Sequence, residues 1–208
     1  MRFEILLLTF LMAANNSSAQ KYLFYLHGAI MEGQSGNAKS PSFGEYQYSA
    51  IVDTFKSAHF IVKSEIRKSG TDVTSYAKEI TKQIDELLKK GVKANDITVV
   101  GASKGAVIAM YVSTFVKQRD MNFIFLAACN DGNFQSFPDI RFTGNILSIY
   151  EQSDDIGESC INFKNKAPGT INHYKEIEIN TGLQHGFLFK PLPQWIKPAI
   201  AWANGNYQ

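Results

Sequence analysis

The most constraining stretch of this chain spans residues 96–110, Asp-Ile-Thr-Val-Val-Gly-Ala-Ser-Lys-Gly-Ala-Val-Ile-Ala-Met. Its β-branched run at 97–100 reads as a buried strand, and the small apolar residues from Ala106 onward read as a helix. Between them lies Gly101-x-Ser103-x-Gly105. A strand that passes into a helix through so few residues strains the central position and leaves no room for bulk beside it, a demand that Gly101, Ala102 and Gly105 meet. In that context the motif predicts a nucleophile elbow, with Ser103 Oγ standing above the sheet and the Lys104 N–H directed at a developing oxyanion. Without a strand before it and a helix after it, G-x-S-x-G is an ordinary Gly/Ser turn, so the flanking pattern carries the reading.

A chain of 208 residues is long enough for one packed domain. A net charge of +2 gives no field that would favour nucleic acid or an anionic membrane. The N-terminus stands apart. Met1-Arg2-Phe3-Glu4 precedes an apolar run at 5–14, and Ser17-Ser18-Ala19 ends in small residues, the layout of a secretory signal peptide cut between Ala19 and Gln20. The run is too short for a comfortable transmembrane helix. The expected organisation is thus a signal peptide at 1–19 and one domain at 20–208, secreted or periplasmic, monomeric by default. Export also colours the two cysteines: in an oxidising compartment an even count predicts a Cys129–Cys160 disulfide, against the alternative of two buried thiols. Neither their spacing nor that of the histidines suits a metal site, and no cofactor is expected.

From residue 20 the pattern alternates. Strands are expected at 22–27, 59–66, 97–100, 121–128, 146–150 and 174–179, with helices at 45–58, 73–90, 104–116 and 193–203. Most strands are apolar throughout, which predicts a mostly parallel sheet of about six strands covered on both faces, a three-layer α/β/α sandwich. The last strand is more polar and is expected at an edge. Ligands of such sheets bind at the carboxyl ends of the strands. Those ends hold His27-Gly28-Ala29, then Ser103, then Glu151-Gln152-Ser153-Asp154-Asp155, then Gln184-His185-Gly186-Phe187. A serine, an aspartate and a histidine therefore follow strands in the order Ser, Asp, His.

On these residues, over roughly 22–203, the chain resembles the α/β-hydrolase superfamily, as a small member without a lid. The resemblance implies Ser103 as nucleophile, His185 as general base and Asp154 as the acid that orients the imidazole. It also implies an oxyanion hole made by the backbone N–H groups of Ala29 and Lys104, each donor worth on the order of 3 kcal/mol. Asp155 adjoins Asp154 and stays open as the acid, with Asp131 a third possibility. His27, Gly28 and Ile30 are expected beside the substrate, His27 chiefly holding the oxyanion loop; Tyr22, Tyr25 and the loop 30–43 are expected to shape the pocket. His173 and His59 fall at the wrong end of the sheet. Lys104 sets a cation against the positive end of a helix dipole, which calls for an acid such as Glu32 or Glu151, or for an anionic substrate group. A disulfide at Cys129–Cys160 would pin the Asp154 loop, adding roughly 3 kcal/mol. The expected activity is hydrolysis of a carboxylic ester or thioester of a small acyl substrate. A peptidase, an acyltransferase and a hydrolase-like binding protein remain alternatives.

Overall fold

The computed structural model describes residues 20–36 and 38–208; the signal peptide expected at 1–19 lies outside the described residues. In chain order the elements are β1 (Lys21–Leu26), a two-strand hairpin of β2 (Lys39–Ser40) and β3 (Gly44–Glu45), α1 (Tyr48–Ser57), β4 (Phe60–Lys63) and α2 (Val73–Lys89). There follow β5 (Ile97–Ala102), α3 (Lys104–Val116), β6 (Asn122–Leu126), α4 (Asp131–Ser136), β7 (Gly144–Glu151), α5 (Ile161–Asn165), β8 (Ile171–Ile179) and α6 (Pro193–Ala203).

The main sheet has six strands in the order β4-β1-β5-β6-β7-β8, every pairing parallel. The chain runs outward from β1 to β4 on one side, then returns to build β5 through β8 on the other. The crossover point between β1 and β5 is where an open parallel sheet leaves a crevice at its carboxyl end. Alternation along each strand feeds two cores. Phe24, Leu26, Val99 and Phe123 pack under α2 and α3, whereas Leu23, Tyr25, Val100 and Ile124 pack with Trp195 and Trp202 of α6. Burial on both faces explains why the central strands read as unbroken apolar runs.

Helix boundaries follow local chemistry. Asp72 caps α2 by accepting the Ser75 amide at 2.8 Å, and Gly91 leaves its far end at φ 86°, a conformation glycine adopts without strain. α3 is apolar nearly all round, and it is buried from Gly105 to Ser113. The helix expected from residue 45 starts instead at Tyr48, because Gly44–Glu45 pairs with Lys39–Ser40 and Tyr46 turns into the core. The strand expected from 174 starts at Ile171, so His173 lies within it, stacked on Tyr207 with ring centroids 4.3 Å apart. Edge position leaves that end of the strand half polar, which hides its period. β8 does form the edge.

Candidate active site

Ser103 stands between β5 and α3 at φ 53° and ψ −121°, outside the regions ordinary residues favour. Its amide is tied to Leu126 O at 2.9 Å, and its carbonyl accepts the amides of Ala106 (2.8 Å) and Val107 (3.2 Å). The flanking glycines are sterically required. A Cβ on Gly101 would run into the backbone of Gly105 and Ala106, and one on Gly105 into the backbone of Leu26 and His27. The close pass of α3 over β1 sets both Ser103 and the loop after β1 at one place.

That loop carries Gly28 and Ala29. Gly28 lies against Ser103, so that an added Cβ would sit 3.6 Å from Ser103 Cβ. The amides of Ala29 and Lys104 each open a helical turn and have no acceptor among the described residues, which leaves two donors beside the serine. His27 fixes the loop from behind. It is fully buried, its Nε2 accepts the Arg67 amide at 3.0 Å, and its Nδ1–H therefore donates to Gly28 O at 2.8 Å. Burial pushes its pKa down to about 4, with the Arg67 guanidinium adding to the effect. Of the residues expected beside the substrate, Gly28 and Ile30 line the cavity at Ser103, whereas His27 sits behind the loop and is not in its lining.

Lys104 finds its acid in Glu32, Nζ to Oε1 2.8 Å, and Arg67 Nε reaches the same oxygen at 3.3 Å. Burial opposes ionisation of Glu32, but Lys104 and Arg67 outweigh it and hold the carboxyl below its usual range. The ammonium is thus committed to an internal partner, and an anionic substrate group loses its free cation. Arg67 also donates to His27 O at 2.5 Å, so that one ionic network ties Lys104 to the loop that follows β1.

His185 lies on a 3₁₀ turn, Gln184–Phe189, after β8. Its Nδ1 bonds Asp154 Oδ2 at 2.7 Å, and both side chains are nearly covered. Asp154 in turn accepts the Ile156 amide through its other oxygen at 2.9 Å. Asp155 and Asp131 are exposed and make no such contact. Ser103, His185, Gly28, Ala29 and Ile30 line one cavity of about 260 Å³. The serine and the imidazole share this cavity, but no hydrogen bond joins Ser103 Oγ to His185 in this structure. Catalytic hydrogen bonds in unliganded sites are commonly long and close on substrate.

Both loops are anchored by Glu151, a residue the sequence offered only as a partner for Lys104. Its buried carboxylate accepts the amides of Ser153 (2.7 Å), Thr181 (2.8 Å) and Gly182 (3.0 Å) and the Ser153 hydroxyl (2.5 Å). A buried carboxylate at the end of β7 thereby ties the Asp154 loop to the His185 loop. Cys129 and Cys160 form the disulfide, with Cα atoms 5.0 Å apart, and Cys129 O accepts the Glu158 amide, so the far side of the acid loop is held too. Phe43, Tyr46, Leu188 and Phe189 complete the cavity wall. Tyr22 and Tyr25, expected to shape the pocket, do not line it: Tyr22 packs half-buried under α2 and α3, and Tyr25 is buried one layer behind the wall, its hydroxyl 2.6 Å from that of Tyr46. Of the expected loop, Ile30, Ser40 and Phe43 contribute.

A parallel α/β/α sheet with a strained serine at its crossover point and a His–Asp pair beyond the last strands is the architecture of an α/β hydrolase. Residues 55–181, more than half of the chain, match the phospholipase/carboxylesterase family of that superfamily, and the chain belongs to it. The matched segment includes Ser103 and Asp154 and stops short of His185. No curated protein sequence matches the chain. Among solved structures it is similar to SOBER1 of Arabidopsis thaliana, 14% identical over 91% of this chain and 100% of that one, with a TM-score of 0.57. It is similar to Est1E of Butyrivibrio proteoclasticus, 12% identical over 93% and 90%, TM-score 0.58. The type II thioesterase YbtT of a yersiniabactin biosynthetic pathway is 10% identical over 92% and 96%, TM-score 0.54. At these identities the likeness is one of fold.

Proposed function

We propose that the protein is an exported serine hydrolase that cleaves a carboxylic ester or thioester of a small acyl substrate. The observation that carries this reading is the 2.7 Å His185–Asp154 pair lining one cavity with Ser103 on its strained turn. His185 Nε2 takes the proton of Ser103 Oγ as the oxygen attacks the carbonyl carbon, and Asp154 stabilises the resulting imidazolium. The Ala29 and Lys104 amides hold the oxyanion. Collapse expels the alcohol or thiol, which takes the proton from His185, and leaves the acyl group on Ser103. Water then repeats the sequence, releasing the acid and restoring the serine. The sequence pattern at 1–19 and the Cys129–Cys160 bridge both favour an oxidising compartment. Among the described residues no helix is long and apolar enough to cross a membrane.

One observation favours a hydrolase-like binding protein instead, namely the missing Ser103–His185 hydrogen bond. Fluorophosphonate labelling of residues 20–208, beside Ser103→Ala and with mass mapping of the adduct, separates the two. Labelling at Ser103 that vanishes in the variant is the expected result. A folded, oxidised sample that takes no label would overturn the hydrolase reading.

A further inference from the structure

We propose that a second cavity at Ser103, whose lining excludes His185, is the subsite for an apolar acyl chain, with Ile156 dividing it from the space that receives the leaving group. The inference rests on the serine-hydrolase reading above and adds the substrate class. Among the described residues, Ser103 lines one cavity of about 260 Å³ containing His185 and another of about 240 Å³. The second is walled by Val73, Val107, Ala127 and Phe137, with Lys104 and Asn133 at its edge. Ser103 and Ile156 are the only residues common to the two linings.

The chemistry assigns their occupants. The carbon bonded to Ser103 Oγ in the tetrahedral intermediate carries three other groups. Its oxyanion points to the Ala29 and Lys104 amides. The leaving oxygen or sulfur must stand within reach of the imidazole that protonates it, hence in the His185 cavity. The acyl chain takes the remaining direction, into the cavity under Val107 and Ala127. That cavity offers little to a charged chain: it has no carboxylate, its one cation is paired with Glu32, and the Asn133 amide group donates to Ala128 O at 2.7 Å. Its volume of about 240 Å³ favours short to medium unbranched acyl groups. Ile156 supports the division. It is half exposed, with its amide fixed to Asp154, so the loop that holds the acid also places the wall.

The test compares two ester series on the purified mature protein. One is p-nitrophenyl acetate, butyrate, hexanoate and octanoate, with the alcohol constant; the other is methyl, butyl and hexyl acetate, with the acyl group constant. Val107→Phe fills the second cavity and is expected to lower the hexanoate-to-acetate ratio of kcat/KM about tenfold or more, the scale on which apolar pockets discriminate methylenes, while the order of the alcohol series is kept. Phe137→Ala, at a half-buried position, is expected to move the acyl optimum to longer chains and serves if Val107→Phe does not fold. An enzyme that fluorophosphonate labels, but in which these variants reorder the alcohol series and leave the acyl series alone, overturns the assignment and keeps the hydrolase. A wild type with neither label nor turnover overturns both.

Discussion

Replacing Glu151 by glutamine asks whether the two loops that carry Asp154 and His185 are held from beneath. Oε2 accepts the Ser153 amide and hydroxyl, and Oε1 accepts the Thr181 and Gly182 amides. A glutamine keeps one acceptor oxygen and turns an NH₂ toward the donors that faced the other, so two donors lose their partner whichever way the amide is placed. Hydrogen bonds to a charged group contribute about 1.5–3 kcal/mol each, and neighbouring ones are not additive, so Glu151→Gln is expected to cost about 3 kcal/mol. With a urea slope of about 2 kcal/mol/M, the unfolding midpoint falls by about 1.5 M. Burial opposes ionisation of Glu151, but the bonds from Ser153, Thr181 and Gly182 outweigh it and hold the carboxyl below its usual range. The stabilisation is therefore present above the unfolded value of about 4.3 and is lost as pH falls through the lower folded value. The gap between wild type and variant should narrow on acidification. A shift of either loop by about an ångström is expected to slow fluorophosphonate labelling of the folded variant by about 100-fold. A midpoint within 0.3 M of wild type (roughly 0.6 kcal/mol at that slope), with labelling within about twofold, would refute the reasoning.

Other expectations follow from single contacts. Because His27 titrates at about 4 in the folded chain against about 6.5 unfolded, its contribution is complete above pH 6.5 and disappears as pH falls to about 4. That difference amounts to about 3 kcal/mol, and His27→Gln should flatten the slope of stability over the same window, measured by urea titration at several pH values. Removing the Cys129–Cys160 bridge as a double serine variant opens a loop of 31 residues and is expected to cost between about 3 and 4 kcal/mol. Denaturant unfolding of the oxidised protein beside the variant checks the figure. Gly105→Ala sets a methyl group against the backbone of Leu26 and His27 and is expected to destabilise by about 3 kcal/mol or more, read as a lowered Tm.

Comparing residues shows which parts of this protein were legible in its linear order. The elbow was, because its constraint is local: Gly101 and Gly105 are each forced by backbone within a few residues or by the strand directly beneath. The sheet was, because strands buried on both faces must be apolar throughout, and the Ser, Asp, His order follows from which strand each residue succeeds. His27 as a prop for the loop after β1 could be read from its neighbour Gly28, whereas its place behind the cavity lining could not. Asp154 and Asp155 are alike in sequence, and one bond of loop rotation decides which meets the imidazole and which meets water. Glu32 lies 72 residues from Lys104, and only the approach of the loop after β1 to the start of α3 makes them partners. Glu151 reads as the last polar residue of a strand, and its role as acceptor for four donors exists only once β7 and β8 end side by side. Periodicity and steric demand act over a few residues and are written along the chain. The choice among chemically equal side chains, and the division of the crevice by Ile156, depend on loops brought together by the packing of distant elements, which no short window contains.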